Sequence, residues 1–164
     1  MDARPPCFRP RVMLVASAGG HWVQLLRLRP AWQGDRLTYV STNKDYVQHL
    51  LEDEEDKNSQ FTFYSATEAN RQRPLHVVIQ LLYIVFILVK TRPHVIITTG
   101  ASIGYLAIRL GKLLGARTIW IDSIANVEEL SLSGKLAGPY ADLWLTQWEE
   151  LAKPSGPRYC GAVF

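Results

Sequence analysis

The stretch that most constrains the fold is residues 11–21, Arg-Val-Met-Leu-Val-Ala-Ser-Ala-Gly-Gly-His. Its unbroken apolar run at 12–16 is typical of a strand covered on both faces, as in a parallel sheet. Gly19 and Gly20 allow a sharp turn and the close approach of a ligand. A helix that begins after them points its unpaired N–H groups and the positive end of its dipole at the same place. These residues therefore predict a parallel sheet with an anion site at the end of its first strand.

The rest of the chain repeats this strand–loop–helix order, which predicts an α/β fold with a Rossmann-like parallel sheet flanked by helices. In such sheets, ligands bind beyond the carboxyl ends of the strands. Residues 1–10 are predicted as a flexible tail and residues 11–164 as a single domain. After the strand at 12–16, strands are predicted at 36–42, 61–65, 95–99, 117–122, 143–146 and 159–164, and helices at 21–32, 44–51, 74–91 and 103–114, with a short helix or a loop at 131–140.

Composition excludes several classes of protein. With 48% apolar and 20% charged residues, the 164-residue chain is globular rather than disordered, and a formal net charge of +3 without a basic stripe argues against nucleic acid as a partner. Cys7 and Cys160 lie far apart and match no metal spacing, so we expect two free thiols in a reducing compartment rather than a disulfide. We expect neither a metal nor a cofactor. The acidic run at 52–56 is predicted to be a solvated helix end and loop. No signal peptide is evident.

The predicted helix at 74–91 is apolar nearly all round. Its apolar run at 77–89 spans only about 20 Å as a helix, against about 30 Å for the hydrocarbon core of a bilayer, so we do not expect it to span a membrane. Two interpretations remain open: a central buried helix, or a monotopic membrane helix whose basic ends contact anionic head groups. The residues predicted to contact a membrane are Val77, Leu81, Leu82, Ile84, Val85, Phe86 and Leu88.

Polar or glycine-rich residues follow four predicted strands, at 17–21, 98–102, 122–123 and 147–149. The first of these loops lacks a complete G-x-G-x-x-G pattern, which argues against a dinucleotide site. His21 is a candidate general base toward a hydroxyl or a hydrogen-bond donor to phosphate, or else a residue that caps or packs at a helix start. The hydroxyls of Thr98, Thr99 and Ser102 either contact a ligand or cap the next helix. Asp122 either orients a ligand hydroxyl or caps the turn that leads to Asn126.

Several blocks of the sequence resemble a known family. They are Ser-Ala-Gly-Gly-His at 17–21, Thr-Thr-Gly-Ala-Ser at 98–102, Trp-Ile-Asp-Ser-Ile-Ala-Asn at 120–126, Leu-Ser-Gly-Lys-Leu at 132–136, and the segments 140–150 and 161–164. From residue 12 onward the chain is similar to the Alg14 / PssD-type family, and especially to its bacterial exopolysaccharide branch. One departure is Asp122, where the family pattern leads us to expect Glu, so the carboxylate is one methylene shorter.

The resemblance implies the N-terminal half of a split, MurG-like GT-B glycosyltransferase. Such a half binds a polyprenyl-diphosphate-linked acceptor, and an Alg13/PssE-like subunit binds the UDP-sugar. The expected place is the cytoplasmic face of the inner (plasma) membrane, as a peripheral or monotopic protein. The expected reaction is inverting sugar transfer in exopolysaccharide biosynthesis, with GlcNAc, glucuronic acid or galactose as the sugar.

On this interpretation His21 is the candidate catalytic base. The loop residues Ser17, Gly19 and Gly20 would contact phosphate. The expected acceptor contacts are Thr99, Gly100 and Ser102, and the expected contacts to sugar hydroxyls or to the interface are Asp122, Ser123, Gln147 and Glu149. Two alternatives come from other classes: a non-catalytic membrane scaffold that activates a partner glycosyltransferase, and a stand-alone Rossmann-like nucleotide-binding enzyme.

Overall fold

The computed structural model of the protein describes residues 9–52, 61–67 and 74–163. Several sequence predictions lie outside these ranges. They concern the tail up to residue 8, with its cysteine, the acidic run at 53–56, the basic residues at 71 and 73, and the last residue. Cys160 is an exposed free thiol.

Seven parallel strands form one sheet, which confirms the predicted α/β fold. The strands are β1 (Arg11–Ala16), β2 (Arg36–Ser41), β3 (Phe61–Ser65), β4 (Val95–Thr98), β5 (Arg117–Ile121), β6 (Leu143–Thr146) and β7 (Arg158–Tyr159). Their order in the sheet is β3-β2-β1-β4-β5-β6-β7. The strand order reverses between β1 and β4, and the crevice of such a sheet opens at the carboxyl ends of the strands on either side of that point. The loops after β1 and β4 are therefore neighbours.

Helices cover both faces of the sheet. They are α1 (Gly20–Arg27), α2 (Tyr46–Glu52), α3 (Pro74–Thr91), α4 (Ala101–Leu113) and α5 (Leu132–Ala137). Alternate residues of β1 enter different core clusters, because side chains of a strand point to opposite faces in turn. Met13 and Val15 pack in the cluster that contains residues of α3 and α4, and Leu14 packs in the cluster that contains residues of α1 and α2.

Two predicted elements differ from the structure in extent. The helix predicted at 21–32 ends at Arg27, and a 3-10 turn over Arg29–Trp32 follows it. Pro30 explains the change, because it lacks an N–H and its ring clashes with the preceding helical turn. The last strand covers only Arg158–Tyr159 rather than 159–164, since Gly161 turns the chain with a φ of 104°. Residues 131–140, left open between helix and loop, form α5 and then a 3-10 turn.

Helix α3 has one buried face and one exposed face. Ile84 and Leu88 are 0% and 1% exposed in the core, so the prediction that these two contact a membrane is wrong in this fold. The outer face of α3 is nevertheless apolar up to the exposed Lys90 near its end, and its exposed apolar members are Leu75, Val78, Ile79, Leu82, Val85, Phe86 and Val89. Among the described residues, no helix combines the length and apolar character needed to cross a membrane.

Asp142 joins α4 to the start of β5 and β6. Its Oδ2 accepts hydrogen bonds from the N–H of Thr118 (2.9 Å) and from the Thr118 hydroxyl (3.1 Å), and its Oδ1 accepts from Lys112 Nζ. The Lys112 hydrogen bond, together with those from Thr118, lowers the pKa of Asp142 below its usual value of 3.8. A carboxyl group with a lowered folded-state pKa stabilises the protein above its unfolded pKa, and that contribution is lost as the pH falls through the folded value.

We expect Asp142→Asn to lower the free energy of unfolding at neutral pH by about 1 kcal/mol, because the charged hydrogen bonds lie in a partly exposed site. The difference from the wild type should shrink as the pH falls below 3.8. Urea unfolding at neutral and acidic pH measures both effects. Glu129→Gln is the matched control: its carboxylate also pairs with a lysine, Lys135, but stands on the open surface, so no resolvable change is expected. Equal effects of the two substitutions would contradict the role given to Asp142.

Candidate functional site

The β1–α1 loop is held by side chains from the following β2–α2 connection. The N–H of Ala18 donates to Thr42 Oγ1 at 3.0 Å, and the N–H of Gly19 donates to Tyr46 Oη at 2.9 Å. The Tyr46 ring in turn stacks on Trp22, with 4.8 Å between ring centroids. Two of the loop N–H groups therefore already have protein acceptors, which leaves the N–H groups in the first turn of α1, without intrahelical partners, as the groups available to an anion.

The β4–α4 turn contains two successive residues with positive φ. Gly100 has a φ of 133° and Ala101 a φ of 66°. The second value is strained for a residue with a side chain, and such strain is concentrated at functional sites. The Thr98 hydroxyl accepts the Gly100 N–H at 3.1 Å, and no side chain caps the start of α4. The Thr98 hydroxyl thus fixes the turn itself rather than the first turn of the helix.

His21 joins these two loops. Its Nδ1 lies 2.8 Å from the carbonyl oxygen of Thr99, and the Thr99 hydroxyl donates back to the His21 carbonyl at 2.6 Å. A carbonyl oxygen can only accept, so Nδ1 carries the proton of the neutral ring and Nε2 carries the lone pair. The ring is half-buried. This is the tautomer that a general base needs if Nε2 is to accept a proton from a substrate.

Gly100 lies directly against the imidazole ring. A Cβ atom at this position would stand 2.6 Å from His21 Cε1 and 2.8 Å from Nδ1. Glycine is therefore required both by the backbone conformation and by the space that the ring occupies. The sequence-predicted residues His21, Thr99 and Gly100 form one contact set.

The Asp122 carboxylate is buried and hydrogen-bonded to neighbouring residues of the protein. Its carboxylate is 1% exposed and accepts from Trp120 Nε1 (3.2 Å), Asn126 Nδ2 (3.3 Å), and both the N–H (2.9 Å) and the hydroxyl (2.6 Å) of Ser131. An added Cβ at Gly134 would lie 2.7 Å from Asp122 Oδ1, so a larger side chain is excluded there. Of the two roles predicted for Asp122, this arrangement favours the one that braces the loop after β5.

A buried glutamine on α1 connects the loops after β5 and β6, and the sequence did not indicate it. Gln24, 6% exposed on α1, donates to Ser123 Oγ at 3.2 Å and accepts from the N–H of Ile124 at 3.1 Å and from Gln147 Nε2 at 2.7 Å. Gln147 also donates to the Asp122 carbonyl and accepts the Val163 N–H. Ser123 and Gln147, predicted as substrate contacts, therefore hold the loops after β5 and β6 to the helix that carries the histidine.

We expect Gln24→Met to lower the free energy of unfolding by about 2 kcal/mol, because it roughly keeps the volume of the side chain but removes the acceptor of the Ile124 N–H and one hydrogen bond each from Ser123 and Gln147. Chemical denaturation measures the loss. Gln48→Met is the matched control, since Gln48 is an exposed helical glutamine whose hydrogen bond goes to Glu52. If both variants are equally stable, the network does not fasten the loops.

The cleft at this edge of the sheet has a volume of about 340 Å³. His21 and Ser123 line it together with Ala101, Asn126 and the segment 131–133. Among the described residues, Ser17, Gly19, Gly20, Ser102 and Glu149 do not line this cleft, although they lie at the same edge of the sheet. The polar groups of Asn126 and Ser133 were not singled out from the sequence, because they lie in an irregular loop whose position depends on Asp122.

The described residues contain no group of three or more His, Cys, Asp or Glu side chains that could hold a metal ion. What the cleft offers is a histidine with a fixed tautomer, hydroxyl and amide groups, and the first turns of α1 and α4 beside it. These groups can accept a proton from a hydroxyl and contact a polar, anionic ligand.

Solved structures share this fold. The MurG structure from Acinetobacter baumannii matches with a TM-score of 0.70 and 14% identity, over 92% of this chain and 45% of that chain. A UDP-GlcNAc 2-epimerase from Methanocaldococcus jannaschii matches with a TM-score of 0.58 and 10% identity, over 83% of this chain and 39% of that chain. The chain thus spans less than half of each, and the predicted correspondence to the N-terminal domain of a GT-B glycosyltransferase is confirmed for the fold.

Curated proteins that are similar in sequence share one name. The Yarrowia lipolytica protein named UDP-N-acetylglucosamine transferase subunit ALG14 is 27% identical over 170 residues, which cover 92% of this chain and 79% of that protein. The protein of the same name from Rattus norvegicus is 28% identical over 179 residues, which cover 93% of this chain and 82% of that protein. The prediction of a glycosyltransferase-subunit family is confirmed. Residues 12–163 match the family described as "Oligosaccharide biosynthesis protein Alg14 like", and the chain belongs to that family.

Proposed function

We propose that this chain is the acceptor- and membrane-binding subunit of a two-chain, inverting glycosyltransferase that uses UDP-GlcNAc. The observation that carries the proposal is the 2.8 Å contact between His21 Nδ1 and the Thr99 carbonyl, which presents an Nε2 lone pair beside a polar cleft. Membership of the Alg14-like family and the names of the relatives support two parts of the proposal: UDP-GlcNAc as the sugar donor, and the role of this chain as one subunit of the enzyme.

In this proposal His21 Nε2 removes the proton of the acceptor hydroxyl as that oxygen attacks the anomeric carbon of the sugar. The bond from this carbon to the diphosphate oxygen breaks, and UDP leaves with the electron pair. The Thr99 carbonyl keeps Nδ1 protonated and stabilises the imidazolium that forms, because it accepts the Nδ1 hydrogen bond in both states. The first turns of α1 and α4 favour the negative charge of a diphosphate.

The second wall of the active site comes from a partner in this proposal. The matched region of MurG is 45% of that chain, and an Alg13/PssE-like subunit would supply the rest, including most of the UDP-sugar contacts. The acceptor is proposed to be a polyprenyl-diphosphate-linked sugar. The outer face of α3 would contact the cytoplasmic surface of the membrane that holds this lipid, since an exposed apolar face of this length favours an interaction site.

The test is co-expression with the Alg13/PssE-like partner, followed by a transfer assay with labelled UDP-GlcNAc, UDP-glucuronic acid and UDP-galactose. Polyprenyl-diphosphate-linked sugars serve as acceptors, and each chain alone is the control. We expect the complex to transfer GlcNAc and neither chain to do so alone. No complex and no transfer with any donor would overturn the proposal.

The assay also separates the alternatives. An exopolysaccharide precursor is a second candidate acceptor, favoured by the sequence blocks that resemble the bacterial branch. This candidate predicts transfer only to lipid-linked precursors of exopolysaccharide. A membrane scaffold predicts full turnover after the cleft residues are changed. A stand-alone nucleotide-binding enzyme predicts nucleotide binding by this chain without a partner.

A further inference from the structure

A second cavity lies at the opposite end of the sheet from the cleft. We call it the basal cavity; it has a volume of about 710 Å³ and lies where β1, β4 and β5 begin and α3 and α4 end. Its apolar wall includes Leu88, Val89 and Leu114. Three arginines, Arg11, Arg92 and Arg117, also line it.

The arginines are built into the ends of the elements around the cavity. Arg11 Nε donates to the carbonyls of Thr91 (3.1 Å) and Arg92 (2.7 Å), which fixes the guanidinium and satisfies the last carbonyls of α3. Arg92 has a φ of 44°, at the helix-terminating position where glycine is usual. Arg92 and Arg117 are exposed, and no carboxylate among the described residues pairs with any of the three arginines.

The lining restricts the chemistry of a ligand. No Phe, Tyr or Trp ring lines the cavity, and the His94 ring that does is held at the cavity wall by the Arg11 N–H, which donates to its Nδ1 at 3.0 Å. Inorganic phosphate would use the arginines but not the apolar wall. An amphiphilic anion satisfies both, because its charged group can pair with guanidinium while its chain covers aliphatic side chains.

The position of the cavity indicates where such an amphiphile comes from. Val89 belongs both to the cavity wall and to the outer face of α3. An 18-residue helix is about 27 Å long, so this face reaches from the cleft end of the sheet to the basal end. A surface that covers the outer face of α3 therefore also borders the mouth of the basal cavity.

We propose that the basal cavity binds the head group of an anionic phospholipid, with the phosphate on Arg92 and Arg117 and the first acyl carbons on Val89 and Leu114. That this phospholipid comes from a membrane surface rests on the membrane contact proposed for α3. The site itself is separate from the cleft and is tested without a bilayer.

The first experiment is calorimetric titration of the full chain with dioctanoyl phosphatidylglycerol below its critical micelle concentration. We expect saturable binding of one lipid per chain, and no binding of inorganic phosphate or of dioctanoyl phosphatidylcholine. Arg92→Gln with Arg117→Gln should weaken binding about tenfold or more, as two cationic contacts to the anionic lipid are lost. Arg27→Gln with Arg158→Gln removes the same charge from exposed positions elsewhere and should change the affinity less than about twofold.

A vesicle flotation experiment distinguishes this site from the membrane contact of α3. Leu82→Ser on the outer face of α3 should weaken binding to vesicles with and without phosphatidylglycerol. The Arg92/Arg117 variant should bind vesicles without phosphatidylglycerol as the wild type does, but its binding should not increase when phosphatidylglycerol is added. Equal weakening by the Arg27/Arg158 control would overturn the inference, because the attraction would then be diffuse. Binding of phosphate alone, or a dimer that the Arg92/Arg117 variant dissociates, would also overturn it.

Discussion

His21→Ala is expected to lower the turnover of the reconstituted two-chain enzyme by about 10²–10⁴-fold, the usual contribution of a general base. The 2.8 Å hydrogen bond to the Thr99 carbonyl fixes the tautomer, and alanine removes the base without disturbing the backbone of the loop. The acceptor KM should change little, because the hydroxyl and amide groups of the cleft remain. Initial rates at varied acceptor concentration measure both quantities.

His49→Ala is the matched control for this experiment. His49 lies exposed on α2, with its ring 5.7 Å from that of Tyr46, so its loss should leave turnover unchanged. Full activity of the His21 variant would remove the base assignment and favour the scaffold alternative. A rise in the acceptor KM at unchanged turnover would instead make His21 a binding residue.

Gly100→Ala is expected to lower the free energy of unfolding by about 3 kcal/mol or more and to abolish transfer. Its Cβ would stand 2.6 Å from the His21 ring, so the ring or the turn must move, and the φ of 133° is strained for alanine. Overpacking and backbone strain each cost about 1–3 kcal/mol. Urea denaturation of the single chain gives the stability, and the reconstituted assay gives the activity.

Gly34→Ala separates the two causes. Gly34 also has a positive φ, of 82°, but an added Cβ there meets nothing within 4 Å. Its cost should therefore be that of strain alone, about 1 kcal/mol, with normal transfer. If the two alanine variants lose the same stability, contact with His21 contributes nothing, and the close approach of Gly100 to the ring has no energetic role.

The sequence predicts the sheet well because each strand is a short apolar run between turn residues, and the buried faces leave little ambiguity. It also predicts that the loops with His21 and Gly100 lie at one edge of the sheet, since the carboxyl ends of parallel strands meet there, but not that the two residues touch. It could not predict the role of Gln24, because a helical glutamine is as common on a solvent face. Likewise, when a helix is apolar on all sides, its sequence does not show which side faces the core. The buried residues Ile84 and Leu88 could therefore not be distinguished from the exposed residues of the outer face of α3.

The central position of β1 has a consequence for how the chain is made. β1 is synthesised before the two strands that flank it: Val12 pairs on one side with Leu37 and on the other with Val95, which is translated more than 80 residues later. At about 5–20 residues per second, one edge of the most apolar strand waits several seconds on the ribosome without its neighbour. Such late, non-local pairing slows folding and exposes an unpaired edge to other nascent chains. Soluble yield in the cell should therefore depend on chaperone capacity during translation more than on the stability of the finished protein.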